Sequence, residues 1–173
     1  MNQINATVPG PNDPLVKVFL DKYQLVGTPL YVDHMDRGYD PSQCHLSAKH
    51  CAMVNGGRRV HGWALWKFGG QIDAEHHSVW ETDDGHLVDV TPPKFGGGRV
   101  FFVRDDTADI MDVAGVFSMW ADRTTAADIL FVYAGTKIDE PFWGLPKANK
   151  VLVDYCFKLG MTPDDMLTDE RLG

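Results

Sequence analysis

The chain lacks the features that mark secreted disulfide proteins and membrane proteins. It has only three cysteines, too few and too odd in number for a disulfide framework, so we expect reduced thiols and a cytoplasmic location. No apolar run approaches the length of about 18 residues that suggests a membrane span. The first residues have neither the basic nor the apolar segment of a secretory signal. We therefore expect no membrane association.

The chain also has fewer basic than acidic residues. There are 16 Lys and Arg against 24 Asp and Glu, giving a net charge of −8, which argues against binding to nucleic acid or to an anionic membrane surface. Residues 41–70 contain no Asp or Glu, and residues 71–89 contain no Lys or Arg. All seven histidines lie between positions 34 and 86. We expect this half of the chain to carry the chemistry.

The chain does have enough apolar surface to form a core. Hydrophobic residues make up 44% of its 173 residues, with five Trp, five Tyr and nine Phe, which excludes a wholly disordered protein. Residues 1–13 hold two prolines, a glycine and three asparagines and predict a flexible arm. Residues 14–173 are predicted to form a single domain.

Local patterns predict an α+β protein, in which a helical layer packs on an antiparallel sheet and further helices follow toward the C-terminus. Asp40, Pro41 and Gln43 form a helix-start signature, and Asn55-Gly56-Gly57 is a stop signal. The predicted elements are helices over 14–26, 40–54 and 147–159, a short helix from Thr162, and strands over 29–32, 60–66, 72–82, 86–91, 99–104 and 129–134.

Cys44 is the candidate nucleophile. It falls in the first turn of the predicted helix over 40–54, where backbone N–H groups lack intrahelical partners and the helix dipole favours a thiolate. The same N–H groups are suited to holding a developing oxyanion. Cys51 lies in the middle of that helix and Cys156 on an apolar helical stripe, so both are interpreted as core residues.

A cysteine nucleophile needs a base, and the base needs an orienting group. His76 and His77 are adjacent on one predicted strand, so only one of them can face Cys44. Asp89 lies among valines on the next strand, an unfavourable place for an acid without a partner. These residues are the candidates for base and orienter.

The register of the hairpin decides which histidine meets Asp89. A two-residue turn between the strands pairs Asp89 with Trp80 and places His76 on the same face. A three-residue loop with a left-handed glycine pairs Asp89 with Val79 and selects His77 instead. The residue pattern alone leaves both registers open.

Cys44, a His-x-x-Trp-Glu strand motif and a Val-Asp-Val-Thr-Pro segment together resemble the transglutaminase-like branch of the papain-like cysteine enzymes. The resemblance covers about residues 40–92. It implies Cys44 as nucleophile, His77 as general base and acid, and Asp89 as orienter, with Thr91 matching a threonine of the family's Asp-x-Thr element. It also implies the papain-like/transglutaminase-like fold, with no cofactor and no metal.

The implied activity is that of a cysteine hydrolase of the protease, isopeptidase or amidase type, acting through a thioester on an amide- or peptide-containing substrate. We favour hydrolysis over transamidation because water is always present. In many relatives tryptophan directly follows the cysteine, whereas this chain has His45, and no oxyanion side chain is identified ahead of Cys44. Two alternatives stay open: a partner-binding module without catalysis on the same fold, and a zinc-binding protein using histidines and cysteines.

Overall fold

The computed structural model describes residues 5–126, 132–133, 136–137 and 141–168. Over these residues the chain is an α+β protein with antiparallel sheets and three α-helices. The helices are α1 (Pro14–Lys22), α2 (Cys44–Asn55) and α3 (Lys150–Leu159), followed by a 3₁₀ turn (Pro163–Met166). The strands are β1 (Leu30–Asp33), β2 (Arg58–Phe68), β3 (Gln71–Glu81), β4 (Leu87–Val88), β5 (Arg99–Arg104), β6 (Met111–Val113), β7 (Val116–Trp120), β8 (Arg123–Thr124), β9 (Val132–Tyr133), β10 (Thr136–Lys137) and β11 (Phe142–Pro146).

The main sheet is built around a long hairpin. Strands β2 and β3 have 11 residues each and pair along their whole length. They lie in the order β1-β5-β2-β3-β4, with β8 pairing the other end of β3. Both faces are covered, as the continuous apolar run of β2 predicts. Trp63 and Phe101 pack with α1 on one face, while Ala64 and Phe102 belong to the core on the other.

A second core joins α2 to the C-terminal part of the chain. Strands β6, β7 and β11 form a separate three-stranded sheet. Phe117 of that sheet, Leu152 and Cys156 of α3 and Leu46 of α2 belong to one buried cluster. The first turn of α2 is therefore held between the main sheet and the C-terminal elements.

Helix α2 begins at Cys44, so the start predicted at Asp40 was wrong. Pro41 and Ser42 form a turn, and Ser42 has φ +64°, a left-handed conformation that an α-helix does not contain. Gln43 takes the N-cap position. Cys44 is consequently the first helical residue and stays within the first turn, as predicted.

The strand predicted over 86–91 is shorter in the structure, because the chain changes partner after β4. The backbone N–H of Asp89 donates to the Asp33 carbonyl at 3.0 Å, and the Asp89 carbonyl accepts from the Met35 N–H at 2.9 Å. Asp89 is thus held by the end of β1 while its side chain stays beside β3. Of the strand predicted over 129–134, only β9 lies inside the described residues.

The described part of the predicted N-terminal arm contacts the sheet. Thr7 exchanges backbone hydrogen bonds with Lys67 at 2.8 and 2.9 Å. Asp13 caps α1 through the Leu15 N–H and also pairs with the Lys67 ammonium. No helix in the described ranges has the length and apolar character needed to cross a bilayer.

Gly62 lies near the centre of the main sheet, where its surroundings leave no room for a side chain. It lies opposite His77 in the β2–β3 ladder. A Cβ atom at this position would lie 2.2 Å from the Val103 carbonyl oxygen and 2.5 Å from Cζ of Phe102. Because the clash includes backbone, we expect Gly62→Ala to lower the free energy of unfolding by about 1–3 kcal/mol, measured by urea denaturation.

Gly70→Ala is the matched control, because a Cβ at Gly70 meets nothing within 4 Å. We expect this variant to unfold at nearly the wild-type urea concentration. Equal stability of the two variants would contradict the close packing at Gly62.

Candidate functional site

Cys44 opens onto a cleft of about 450 Å³. The cleft lies where the start of α2 meets the middle of β3, and its far side is formed by β7, β11 and the start of α3. Cys44 is partly exposed there, whereas Cys51 and Cys156 are buried. Representative lining residues are Gln43, Cys44, His77, Thr91, Trp120 and Trp143.

The cysteines differ as the sequence predicts. Cys51 is 0% and Cys156 1% exposed, each inside a hydrophobic cluster, so their interpretation as core residues is confirmed. Burial raises the pKa of both thiols. Of the three thiols, Cys44 alone faces the cleft.

The first turn of α2 presents backbone donors next to the Cys44 thiol. Ser47 is the first residue whose N–H is bonded within the helix, to the Gln43 carbonyl at 3.0 Å. The Gln43 side chain makes no capping hydrogen bond. Helix geometry leaves the preceding N–H groups without intrahelical acceptors. These donors, together with the positive end of the helix dipole, favour a negative charge beside Cys44.

His77 lies between Cys44 and Asp89. Its Nε2 is 3.1 Å from Asp89 Oδ1, and the ring lines the same cleft as Cys44, near enough for Cys44 to affect its pKa. Burial by itself would lower the pKa of His77. The negative charges of Asp89 and Cys44, and the hydrogen bonds to both, instead raise that pKa well above its usual value. The raised pKa favours the imidazolium form of His77.

The hairpin of β3 and β4 has the register that the three-residue loop predicts. Trp80 pairs with Val88, and continuing this register brings Val79 opposite Asp89. Gly85 ends the loop with φ +85°, the left-handed conformation that the longer turn requires. His77 therefore shares a face with Asp89, while His76 points to the other side of β3.

Asp89 is 0% exposed. Its Oδ1 accepts from His77 and from the Thr91 backbone N–H at 3.1 Å. Its Oδ2 makes no hydrogen bond among the described residues. Burial of a carboxylate is costly unless it is paired, so the imidazolium of His77 is the group that makes this position tolerable. Thr91 contributes its backbone N–H.

Sequence reasoning missed a cluster of three histidines on the opposite face of β3. Ser78 Oγ lies 2.6 Å from His45 Nδ1 and 2.9 Å from His61 Nδ1. His76 stacks near both rings, with centroids 4.6 and 5.4 Å away, and its Nε2 donates to the Ala108 carbonyl at 2.6 Å. The alternation of β3 put His76 and Ser78 on one face, but no local pattern placed the other two histidines there.

The clustered histidines are neutral, in contrast to His77. Burial is the main cause, lowering the pKa of His45 well below its usual value and that of His76 to about 3, and the neighbouring imidazoles lower both further. Burial also lowers the pKa of His61, although Asp109 opposes this. Adjacent residues of β3 thus have opposite protonation preferences because their surroundings differ.

Arg59 places a positive charge next to the first turn of α2. Its guanidinium donates at 3.3 Å to the backbone carbonyls of His45 and Asp165. Burial lowers the pKa of Arg59 to about 10, while the charges of Asp109 and Cys44 oppose the shift. Arg59 therefore remains protonated at neutral pH.

No family model, curated protein or solved structure matches the chain. Among the residues that the structure describes, no group of three or more His, Cys, Asp or Glu side chains is arranged to hold a metal ion. The zinc-binding alternative therefore finds no ligand set in that part of the chain.

The buried histidines predict a loss of stability in mild acid. A base whose pKa is lower in the folded than in the unfolded protein binds a proton on unfolding, so stability falls as pH decreases below about 6.5. For His76 alone the expected loss at pH 5 is about 2 kcal/mol. His77 has a raised pKa, so its stabilisation is complete below pH 6.5 and adds no slope there. Urea denaturation between pH 7 and pH 5 measures the loss.

His76→Gln tests the assignment, because glutamine does not titrate and its amide N–H can still donate to the Ala108 carbonyl. We expect a shallower pH dependence in this variant. The exposed His86 provides the control, and His86→Gln should leave the pH dependence unchanged. A wild-type stability that is flat over this range would refute the buried neutral cluster.

Proposed function

We propose that this protein is a cysteine-dependent hydrolase of amide or peptide bonds, with a catalytic triad of Cys44, His77 and Asp89. The observation that carries the proposal is the position of His77, which is hydrogen-bonded to the buried Asp89 through Nε2 and lines the cleft with Cys44, near enough for Cys44 to raise the pKa of the ring. A nucleophile, a base and an orienting group in this sequence of contacts form the arrangement that activates a thiol.

Three sources of positive potential support a thiolate at Cys44. They are the His77 imidazolium, the Arg59 guanidinium and the start of α2. A thiolate is the reactive form of cysteine, and helix N-termini and neighbouring cations favour it. Cys51 and Cys156 are buried and lie away from the helix N-termini, and burial raises the pKa of both thiols, so we assign no chemistry to them.

The proposed reaction proceeds in two stages through a thioester. Cys44 Sγ bonds to the amide carbonyl carbon, and the uncapped N–H groups of α2 stabilise the oxyanion. The oxyanion then collapses, the C–N bond breaks, and His77 donates its proton to the departing amine. In the second stage His77 takes a proton from water, the hydroxide attacks the thioester, and a carboxylic acid leaves while Cys44 regains its starting form. An amine replacing water would give transamidation.

The arrangement of the elements supports a papain-like or transglutaminase-like core. Cys44 begins a helix that packs on β2 and β3. His77 and Asp89 lie on and just after neighbouring antiparallel strands, and their order along the chain is Cys, His, Asp. This combination is what the resemblance in sequence implies.

The walls of the cleft suit a peptide segment. Trp120 and Trp143 provide aromatic surface on one side, and Trp143 is 51% exposed. On the other side the Lys94 ammonium lies 4.0 Å from the Glu75 carboxylate. A peptide can present an apolar side chain to the first wall and backbone polar groups to the second. We therefore propose a peptide or protein substrate.

Alkylation of each cysteine by iodoacetamide, followed by mass spectrometry, tests the triad. We expect Cys44 of the wild type to react near pH 6 at least about tenfold faster than Cys44 of the His77→Ala variant, because an imidazolium partner favours its thiolate. Cys51 and Cys156 are buried and should label slowly in both proteins. Asp89→Asn should slow the reaction less, because the base is still present but is no longer oriented by a charge.

His86→Ala serves as the matched control, since His86 is an exposed histidine at the tip of the same hairpin, with 74% of its side chain accessible. It should leave the labelling of Cys44 unchanged. Slow labelling of Cys44 that is indifferent to His77→Ala would eliminate the hydrolase proposal and favour the partner-binding alternative.

A further inference from the structure

The residues that follow Cys44 and His77 in the chain are hydrogen-bonded to each other. His45 Nδ1 lies 2.6 Å from Ser78 Oγ, and the two residues are 9% and 0% exposed. This contact joins the first turn of α2 to β3 one residue beyond the reactive pair. It lies on the opposite face of β3 from the His77 side chain, so it takes no part in the proposed chemistry.

The contact continues into a chain of polar groups. Ser78 Oγ also meets His61 Nδ1 at 2.9 Å, and these residues are cross-strand partners. His61 Nε2 lies 3.4 Å from Asp109 Oδ1, too long for a well-formed hydrogen bond but close enough for a favourable electrostatic contact. Asp109 in turn accepts from the Thr168 hydroxyl at 2.7 Å.

The positions of the protons follow from the chemistry of these groups. Asp109 is an acceptor, since the hydrogen bonds around it lower its pKa even though burial opposes this, so the single proton of neutral His61 belongs on Nε2. His61 Nδ1 must then accept, and the one hydroxyl proton of Ser78 goes to it. Ser78 has none left for His45, so His45 Nδ1–H donates to Ser78. All donors therefore run in one direction, from His45 toward Asp109.

We propose that His45 and Ser78 are positioning residues, whose hydrogen bond sets the separation of Cys44 from His77. This inference rests on the proposed function. Cys44 and His77 belong to different elements, and a displacement of about 1 Å at such a pair can cost a factor of about 10² in rate. A buried hydrogen bond resists such a displacement, because breaking it leaves two polar groups without water.

The other charged and titratable groups that face this pair also favour the neutral network. The His76 ring lies tilted against His45, with the centroids 4.6 Å apart, and Arg59 donates to the His45 carbonyl. A proton added to His45 or His76 would be repelled by the positive charge of Arg59. The network is therefore a fixed support at neutral pH.

Ser78→Ala is the principal test, read from the rate and pH profile of Cys44 alkylation. We expect the variant to retain the circular dichroism of the wild type, with labelling near pH 6 slower by about tenfold. In a His77→Ala background, Ser78→Ala should have no further effect, because the positioning acts through His77. A merely structural loosening would instead expose Cys44 and speed its labelling in both backgrounds.

Ser47→Ala is the matched control. Ser47 is also a fully buried serine, on α2, and its Oγ is bonded at 2.8 Å to the Tyr155 hydroxyl. We expect this variant to lose stability as Ser78→Ala does, while Cys44 keeps its wild-type pH profile. Parallel slowing in both serine variants would overturn the inference, since it would show a general effect of lost hydrogen bonds.

His45→Asn and His45→Leu give a second, independent comparison that decides the matter if Ser78→Ala does not fold. The asparagine amide can place an N–H where His45 Nδ1–H lies, whereas leucine offers no donor. We expect Asn to preserve rapid labelling and Leu to lose it. Equal rates in the two variants, fast or slow, would overturn the assigned role of the donor.

The variants distinguish a wrong positioning role for His45 and Ser78 from a wrong catalytic triad. If His77→Ala slows Cys44 labelling but folded Ser78→Ala and His45→Leu do not, the triad stands and the positioning role is wrong. If His77→Ala itself has no effect, both proposals fall together.

Discussion

The burial of the Asp89 carboxylate is the constraint on which the rest of the site depends. A carboxylate removed from water costs several kcal/mol unless an opposite charge and hydrogen bonds replace the solvent. Asp89 is fully buried, and the His77 imidazolium and the Thr91 N–H supply those interactions. The same pairing raises the pKa of His77 and leaves its other ring nitrogen free of Asp89. The need to compensate the buried charge of Asp89 thus determines how His77 and the Thr91 N–H are oriented.

The two faces of β3 show how strongly surroundings determine the charge of a histidine. On one face, His77 lies against a carboxylate and a thiol and is cationic. On the other, His76 lies among imidazoles and beside Trp63, and is neutral. The consequence is a single imidazolium at the thiol, backed by a neutral polar layer that binds the helix to the sheet.

The site draws on more of the chain than the 40–92 segment that carries the motifs. The far wall of the cleft comes from β7, β11 and the start of α3, which pack with Leu46 of α2 in a common core. The Tyr155 hydroxyl of α3 accepts from the backbone N–H of Asp40, in the loop before Cys44. The C-terminal elements therefore both shape the cleft and hold the loop that leads into α2.

Local sequence patterns were enough to predict the α+β class, the central hairpin, the helix-terminal position of Cys44 and the candidate set of two histidines and Asp89. Hydrophobic periodicity and turn residues act over a few neighbouring positions, so they can be read locally. The residue pattern left open whether His76 or His77 meets Asp89, because both loop lengths suited the same residues; the family resemblance implied His77, and the strand pairing of the folded chain places His77 there. Only the tertiary structure brought His45, His61 and Ser78 together. These residues come from α2, β2 and β3, and contacts between distant elements depend on packing that no local pattern encodes.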